Sequence, residues 1–280
     1  MTEPALVSTD WLASHLSAPD VKIVDASWYL PMAQRDAKAE YDSRHIPGAV
    51  FFDLDDICDS DTDLPHMLPS PEKFSSRVRK LGIGDGHHVV VYDAAGIFSS
   101  PRVWWMFRAM GHTRVSVLDG GLPKWLAENR PTDDMASHNQ ARHFTPRANA
   151  LLCCDRQAVE ENLTSKRAQL VDARGKPRFD GSEPEPRAGL RAGHIPDACN
   201  VPFGALLSED GTLKPADQLQ KVFASAGVDL SQPIITSCGS GVTAAILSLA
   251  LAVIGHQENT LYDGSWAEWG ACADLPIETT

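Results

Sequence analysis

The sequence predicts an α/β fold of two tandem domains, each a mainly parallel sheet flanked by helices. Two observations carry this prediction: short apolar runs alternate with helical patterns, and landmarks of the first half recur in the second half in the same order. Apolar strands separated by helices are typical of a parallel sheet covered on both faces. With 280 residues and 43% hydrophobic content, the chain is long enough for about two such cores.

Six β-rich runs predict the central strands. In chain order they are Val21–Asp25, His88–Tyr92, Arg114–Leu118, Gln169–Asp172, Pro233–Ser237 and Thr260–Tyr262. The apolar segment Ala244 to Ile254 is shorter than the ~18 residues needed to span a bilayer and predicts a fully buried helix. The stretch from Glu128 to Ala150 is polar and unpatterned, as expected of an exposed linker.

Three landmarks predict an internal duplication. The matched pairs are Val-Asp-Ala at 24–26 and 171–173, His-Ile-Pro at 45–47 and 194–196, and Asp-Gly at 119–120 and 263–264. Their offsets of 147, 149 and 144 residues are nearly constant. A fixed order at a near-constant offset is the signature of a repeat. Because His45 and His194 recur in both halves, we interpret them as structural rather than catalytic.

Composition excludes several classes of partner. The net charge of −12 argues against a nucleic-acid or anionic-membrane surface, although a local basic pocket for a small anion stays possible. The N-terminus has no basic cluster followed by an apolar core, so no signal peptide is predicted and the cytoplasm is expected. The six cysteines include no CxxC spacing, so we expect neither a metal site nor a disulfide scaffold.

The most informative stretch is the glycine-rich turn that begins at Cys238. It follows an apolar run and precedes the predicted buried helix, so the thiol is expected near a helix N-terminus, where dipole and backbone amides favour a thiolate. Gly239 and Gly241 allow amide groups to converge on an anion. The first half has Asp93 in the corresponding place. We therefore predict a non-catalytic domain over 1–135, a linker over 136–150 and a catalytic domain over 151–280.

These motifs carry a resemblance to a known family. The paired Val-Asp-Ala and His-Ile-Pro motifs, the Tyr-Asp-Gly-Ser-Trp segment ending at Trp266 and the Cys-Gly-Ser-Gly-Val-Thr loop resemble the tandem rhodanese-domain sulfurtransferases. The likeness covers nearly the whole chain. Within the family, it is most specific to the members that use 3-mercaptopyruvate. It implies that Cys238 takes sulfur as a persulfide and passes it to a thiophilic acceptor such as a thiol, thioredoxin or cyanide, releasing pyruvate without a cofactor.

The resemblance also implies a set of site residues. Arg178 and Arg187 match the substrate arginines, and planar guanidinium groups suit a carboxylate. Asp55 belongs to a proton relay with Ser240 and Cys238, and His66 lines the same site. The remaining substrate-binding positions are in the loop: Gly239, Gly241, Val242 and Thr243. Without the resemblance, both arginines read as solvated loop residues, Asp55 as surface charge, and Ser240 and Thr243 as helix caps.

Three alternatives remain open at the level of sequence. A cysteine-dependent phosphatase would carry an arginine six residues after the cysteine, where this chain has Ala244. A non-catalytic sulfur carrier would not need Cys238 together with Ser240 and both arginines. A thiosulfate-specific enzyme usually has basic residues after the cysteine, where this chain has Gly239 and Ser240.

Overall fold

The structure is a computed structural model that describes residues 3–135, 137 and 139–279. The chain divides into two compact units. The first unit comprises residues 1–59, 69–149 and 208–213, and the second comprises residues 60–68, 150–207 and 214–280. Each unit thus includes one short segment that the chain supplies from within the other half. The domain boundaries named above remain predictions.

Each unit contains a five-stranded sheet. The strands of the first are β1 (Leu6–Val7), β2 (Val21–Asp25), β3 (Val50–Phe51), β4 (His88–Tyr92) and β5 (Val115–Leu118). Those of the second are β6 (Cys153–Cys154), β7 (Gln169–Asp172), β8 (Cys199–Asn200), β9 (Ile234–Ser237) and β10 (Asn259–Tyr262). All the pairings between these strands are parallel.

Helices follow most of the strands. In the first unit they are α1 (Thr9–His15), α2 (Ala37–Ser43), α3 (Pro71–Lys80), α4 (Ser100–Ala109) and α5 (Gly121–Ala127). In the second they are α6 (Arg156–Ser165), α7 (Lys176–Asp180), α8 (Ala216–Ser225), α9 (Ala244–Val253) and α10 (Ser265–Trp269). Short 3₁₀ turns occur at Pro31–Ala33, Ala150–Leu152 and Phe203–Leu206.

The two sheets have the same strand order, which confirms the predicted fold class. The orders are β1-β5-β4-β2-β3 and β6-β10-β9-β7-β8. All six predicted strands are present, with ends that differ by at most one residue. Sequence reasoning missed β1, β3, β6 and β8, because a two-residue strand leaves no alternating pattern to detect.

In each unit, buried helices pack against the central strands of the sheet. Residues Ala244 to Leu251 of α9 are all buried, as the apolar segment predicts. Trp104 and Trp105 on α4 are buried, and so are Trp266 and Trp269 on α10. Among the described residues, no helix is both long and apolar enough to cross a membrane.

The repeated histidines are structural in both units. His45 pairs through its backbone with Asp133, and His194 pairs in the same antiparallel way with Glu278. Each ring stacks on an aromatic neighbour, Tyr41 at 4.2 Å and Phe179 at 3.7 Å between centroids, and each Nδ1 contacts that neighbour's backbone carbonyl. This geometry ties a C-terminal segment onto its own unit.

The stretch expected to be an exposed linker is in part packed against the first unit. Phe144 is 2% exposed and contacts Phe74 and Phe107. The backbone amides of Arg147 and Asn149 donate to carbonyls at the end of α4. One buried aromatic residue and several backbone hydrogen bonds fasten this stretch, which its polar composition concealed.

Candidate active site

Cys238 follows directly after β9 and is 2% exposed. Its backbone is held on both sides by α10: its amide donates to Ser265 Oγ at 3.2 Å, and its carbonyl accepts from the amide of Trp266 at 2.9 Å. The Gly239 carbonyl accepts from Ala267 at 2.9 Å. Ser265 adopts a left-handed φ of 50°, which turns the start of α10 toward the loop. The thiol is therefore presented by a fixed backbone.

The loop between Cys238 and α9 turns through Gly241, whose φ of 76° favours glycine. Val242 is buried, and Thr243 stands at the N-cap of α9. The Thr243 side chain makes no capping hydrogen bond, so the alternative interpretation of this residue as an ordinary side-chain cap is wrong. Because α9 begins only at Ala244, the thiol lies before a loop rather than on the first helical turn.

The first unit shows what this kind of loop binds. Asp93 matches Cys238, because its carbonyl accepts from Leu122 at the start of α5 as that of Cys238 accepts from α10. The Asp93 carboxylate accepts four backbone amides at 2.8–3.0 Å and one hydroxyl at 2.7 Å. The donors are Ala95, Phe98, Ser99 and Ser100. In the first unit, the loop thus surrounds the Asp93 carboxylate, which stands at the position of Cys238 in the second unit.

Two arginines converge on the residues after Cys238. Arg178 lies on α7 and Arg187 on the segment that follows it. A Cβ placed on Gly239 would lie 3.1 Å from Arg178 Nη2 and 4.0 Å from Arg187 Nη1. Arg187 Nη2 also donates to Ser240 Oγ at 3.4 Å. Both guanidinium groups therefore lie beside the loop, and Gly239 leaves the space that the Arg178 guanidinium fills.

Charge around Arg187 links it to the thiol. Burial lowers the pKa of the Arg187 guanidinium, and the neighbouring charge of Arg178 acts in the same direction. Cys238 and Glu185 oppose this effect, so a negative charge on the Cys238 sulfur and the Arg187 guanidinium would attract each other. An arginine keeps its proton under all ordinary conditions. The site is therefore permanently cationic next to its nucleophile.

His66 and Ser240 meet in the second unit. His66 Nδ1 lies 3.3 Å from Ser240 Oγ, and both residues are buried, at 6% and 7% exposure. His66 has a left-handed φ of 60°, which is uncommon for a residue other than glycine and often marks a functional position. The amide of Leu68 donates to Asp263 Oδ2 at 2.7 Å and so fastens this segment to the end of β10.

Asp55 belongs to the first unit. Trp28 Nε1 donates to both of its carboxylate oxygens, at 3.1 and 3.2 Å, and its own amide donates to Asp53 Oδ1 at 3.0 Å. Its carboxylate is thus oriented within that unit. The predicted relay from Asp55 to Ser240 stays a prediction, whereas Cys238, Ser240, His66, Arg178 and Arg187 lie together in the second unit.

Sequence reasoning missed a buried ion-pair chain behind Arg178. Arg174 binds Asp172 through Nε and Nη2 and binds Glu185 Oε1 through Nη1 at 2.6 Å. Arg178 binds the same glutamate. The sequence contains no local signal for this network, because a glutamate between Pro184 and Pro186 is an ordinary composition for a solvated loop.

Three of the other five cysteines lie in surroundings that disfavour a thiolate. Burial raises the pKa of the Cys58, Cys154 and Cys199 thiols. All six cysteines are free thiols. Within the residues that the structure describes, no group of three or more His, Cys, Asp or Glu side chains is placed to hold a metal ion.

The fold and the cysteine loop define a class that comparison with known proteins identifies. The pattern of the Rhodanese-like domain matches residues 8–128 and 155–272. The chain belongs to the rhodanese family, in its tandem two-domain form. It is a sulfurtransferase, which confirms the class that the sequence motifs predict.

Full-length relatives support this placement. A 3-mercaptopyruvate sulfurtransferase of Escherichia coli is 45% identical over 99% of this chain and 99% of its own. A thiosulfate sulfurtransferase of Rattus norvegicus is 46% identical over 95% of this chain and 91% of its own. The crystal structure of a 3-mercaptopyruvate sulfotransferase from Escherichia coli has a TM-score of 0.87 at 41% identity, covering 94% and 99% of the two chains.

Proposed function

We propose that this enzyme takes sulfur from 3-mercaptopyruvate, stores it as a persulfide on Cys238 and passes it to a thiophilic acceptor. The observation that carries the proposal is the convergence of Arg178 and Arg187 on Gly239 and Ser240, next to the thiol. A donor with a carboxylate and an adjacent ketone offers oxygens for two planar guanidinium groups. Its sulfur, two bonds from the ketone carbon, would then lie toward Cys238.

The charge balance of the pocket fits a small anionic donor. Three guanidinium groups, those of Arg174, Arg178 and Arg187, stand against the two carboxylates of Asp172 and Glu185. The excess positive charge lies on the side of the loop. A carboxylate is stabilised there by charge-assisted hydrogen bonds, each contributing about 1.5–3 kcal/mol.

The transfer step balances without an external oxidant. The Cys238 thiolate attacks the donor sulfur, the S–S bond forms, and the C–S bond breaks with its electron pair moving to the carbon. The product is a pyruvate enolate, and the proton of the donor thiol ends on that carbon to give pyruvate. The persulfide left on Cys238 is an anion, which the amides of the loop would stabilise as the amides of the first unit hold Asp93.

We assign the proton path to Ser240 and His66. Their 3.3 Å contact gives a hydroxyl beside the thiol and an imidazole that can accept or return a proton. Asp55 is proposed as the carboxylate of the same relay. Gly239, Gly241, Val242 and Thr243 are proposed to bind the donor and persulfide through backbone amides.

In the second half of the reaction, an acceptor attacks the outer sulfur and frees the Cys238 thiolate. A small thiol, thioredoxin or cyanide would serve, since each is a nucleophile toward sulfur. Neither a nucleic acid nor a membrane is proposed as partner, in view of the net charge of −12. Free thiols at all six cysteines support a reducing compartment, and we propose the cytoplasm, to be tested by cell fractionation.

Thiosulfate remains the second candidate donor. The rat thiosulfate sulfurtransferase is as similar to this chain as the 3-mercaptopyruvate enzyme from Escherichia coli, so overall identity does not separate them. The local residues favour the keto acid. Thiosulfate is a compact dianion without a carboxylate or a ketone, and the two residues after Cys238, Gly239 and Ser240, add no positive side chain to attract it.

Mass spectrometry tests the nucleophile. After exposure to 3-mercaptopyruvate, one added sulfur is expected on the peptide that contains Cys238, and Cys238→Ser should abolish both the added mass and turnover while the fold is kept. The matched control is Cys199→Ser, which should retain both. Added sulfur on the peptide with Cys153 and Cys154 or on Cys272, with none on Cys238, would overturn the assignment.

A further inference from the structure

Glu185 lies between two guanidinium groups of the second unit. Its side chain is 2% exposed, and its oxygens are divided: Oε1 accepts from Arg174 Nη1 at 2.6 Å, and Oε2 accepts from Arg178 Nη2 at 2.5 Å. Arg178 Nε lies 3.3 Å from Oε1. A buried carboxylate is thus fully committed to these two arginines.

Arg174, at one end of this ion-pair network, is held by several contacts. Arg174 is buried, binds Asp172 through Nε and Nη2, donates to the Gly193 carbonyl at 2.9 Å and packs over the Trp266 ring at 4.4 Å. Trp266 in turn lies on α10, whose amide holds the Cys238 carbonyl. Arg174 therefore gives Glu185 a fixed position relative to the backbone that presents the thiol.

Arg178, at the other end of the network, needs a partner that fixes its side chain. Arg178 lies on α7, a helix of five residues that ends at Asp180, and its side chain is 26% exposed. A long arginine side chain on a short helix has many rotamers, and ordering it costs conformational entropy. In the described residues, its hydrogen bonds go to Glu185 through the Nε and Nη2 edge. Nη2 is also the nitrogen that lies 3.1 Å from the Cβ position of Gly239, so the bond to Glu185 fixes the atom that faces the loop.

We infer that Glu185 is the positioning residue for Arg178: its bonds to Nε and Nη2 fix the guanidinium so that Nη2 lies beside Gly239, where the donor would bind. This inference rests on the proposed function, in which Arg178 binds the keto-acid donor. Glu185 does not touch the donor itself. Removing its charge should leave Arg178 in place on α7 but with its guanidinium free to rotate.

A merely structural ion pair would behave differently. Loss of a buried carboxylate destabilises a protein wherever it occurs, and would reduce use of every donor alike. Loss of a positioning group should instead weaken donors that need Arg178, and should have no further effect once Arg178 is absent. These two patterns separate under a double-mutant cycle.

The experiment measures kcat and KM with 3-mercaptopyruvate and with thiosulfate, using cyanide as acceptor, for the full-length enzyme. The variants are Glu185→Gln, Glu185→Asp, Arg178→Ala and the double variant Glu185→Gln with Arg178→Ala. The matched control is Asp172→Asn, which removes the other buried carboxylate on Arg174 but leaves the bond between Glu185 and Arg178. Melting temperatures are recorded for all of them.

For Glu185→Gln we expect kcat/KM with 3-mercaptopyruvate to fall about 10- to 100-fold, mainly through KM, the range for weakening a charged hydrogen bond. In the Arg178→Ala background, the same change should cost less than about twofold. Glu185→Asp, which keeps the charge, should lose less than Glu185→Gln and covers the case in which the glutamine variant does not fold. Asp172→Asn should leave the ratio of the two donors within about threefold of wild type.

Equal losses from Glu185→Gln with and without Arg178, or a donor ratio that matches that of Asp172→Asn, would show that Glu185 is only structural. An Arg178→Ala variant with wild-type efficiency would instead overturn the proposed function itself, because Arg178 would then not bind the donor. The two failures are therefore distinguishable.

Discussion

At the scale of single residues, one substitution between the repeats separates a structural loop from a reactive one. Asp93 and Cys238 stand at the same place after matched strands, each with its carbonyl held by the next helix. The Asp93 carboxylate forms five hydrogen bonds to its own loop, whereas the second unit has the thiol of Cys238 at the same position. Function in this chain therefore depends on which side chain follows the strand.

The two arginines that are proposed to bind the donor, Arg178 and Arg187, give the first prediction. Arg178→Ala and Arg187→Ala should each lower kcat/KM with 3-mercaptopyruvate by about 10- to 1000-fold, because each loses about 1.5–4 kcal/mol of charged hydrogen bonding. Steady-state kinetics measures this loss. Alkylation of Cys238 should continue in both variants, since the nucleophile and its loop remain. Wild-type efficiency in both variants would mean that the arginines are surface residues.

Asp25 gives a prediction about pH. In the repeat, Asp25 stands at the position of Asp172, and Ser27 stands at the position of Arg174. Asp25 therefore lacks the arginine partner of Asp172, and burial raises its pKa to about 6. Because the pKa of Asp25 is raised in the folded state, its protonation contributes to the free energy of unfolding. This contribution is fully present below the unfolded pKa near 3.8 and is lost as the pH rises through about 6.

The measurement is the free energy of unfolding of wild type and Asp25→Asn in urea at several pH values. Between about pH 4 and pH 7, the wild type should lose about 3 kcal/mol relative to the variant, which corresponds to about two pKa units. Only the pH slope is diagnostic, because the amide changes local hydrogen bonds at every pH. Parallel curves for the two proteins would contradict the assignment.

At the scale of elements, we propose that the loop from Gly239 to Thr243 sets donor preference together with α7. The absence of a side chain at Gly239 admits the guanidinium of Arg178, and Ser240 supplies a hydroxyl to both His66 and Arg187. Basic side chains at positions 239 and 240 would displace the Arg178 guanidinium and remove the Ser240 hydroxyl. The loop and α7 therefore have to be compatible as a pair.

The double change Gly239→Arg with Ser240→Lys tests this pairing. The new side chains attract a dianion, crowd Arg178 and delete the Ser240 hydroxyl. We expect the ratio of kcat/KM for 3-mercaptopyruvate over thiosulfate to fall by about tenfold or more, which is about 1.4 kcal/mol. Ser231→Ala, on the exposed turn before β9, is the control. A ratio that the double variant leaves unmoved would separate donor choice from these two residues.

At the scale of the whole molecule, much of the fold was predictable because local pattern and duplication agree. The six central strands and the buried helix α9 follow from apolar runs, and the repeat of landmarks predicts two sheets of one kind. The residues that the motif places in the loop, with both arginines, also come together in the second unit.

Other features depend on contacts that are distant in sequence. The segment with His66 belongs to the second unit although it lies in the first half of the chain, and residues 208–213 belong to the first. Glu185 reads as loop charge in the sequence, whereas in the structure it is buried between Arg174 and Arg178. Phe144 fastens a stretch whose polar composition indicated exposure. No local pattern encodes these placements, since each depends on tertiary packing.

The proposed donor can be tested most directly by side-by-side kinetics of the unmodified enzyme. The ratio of kcat/KM for 3-mercaptopyruvate over thiosulfate is measured at one pH and one ionic strength, with cyanide as the common acceptor. Two arginines beside a glycine and a serine predict a ratio well above one, about tenfold or more. A ratio below one would contradict the claim that this pocket is built for a keto acid.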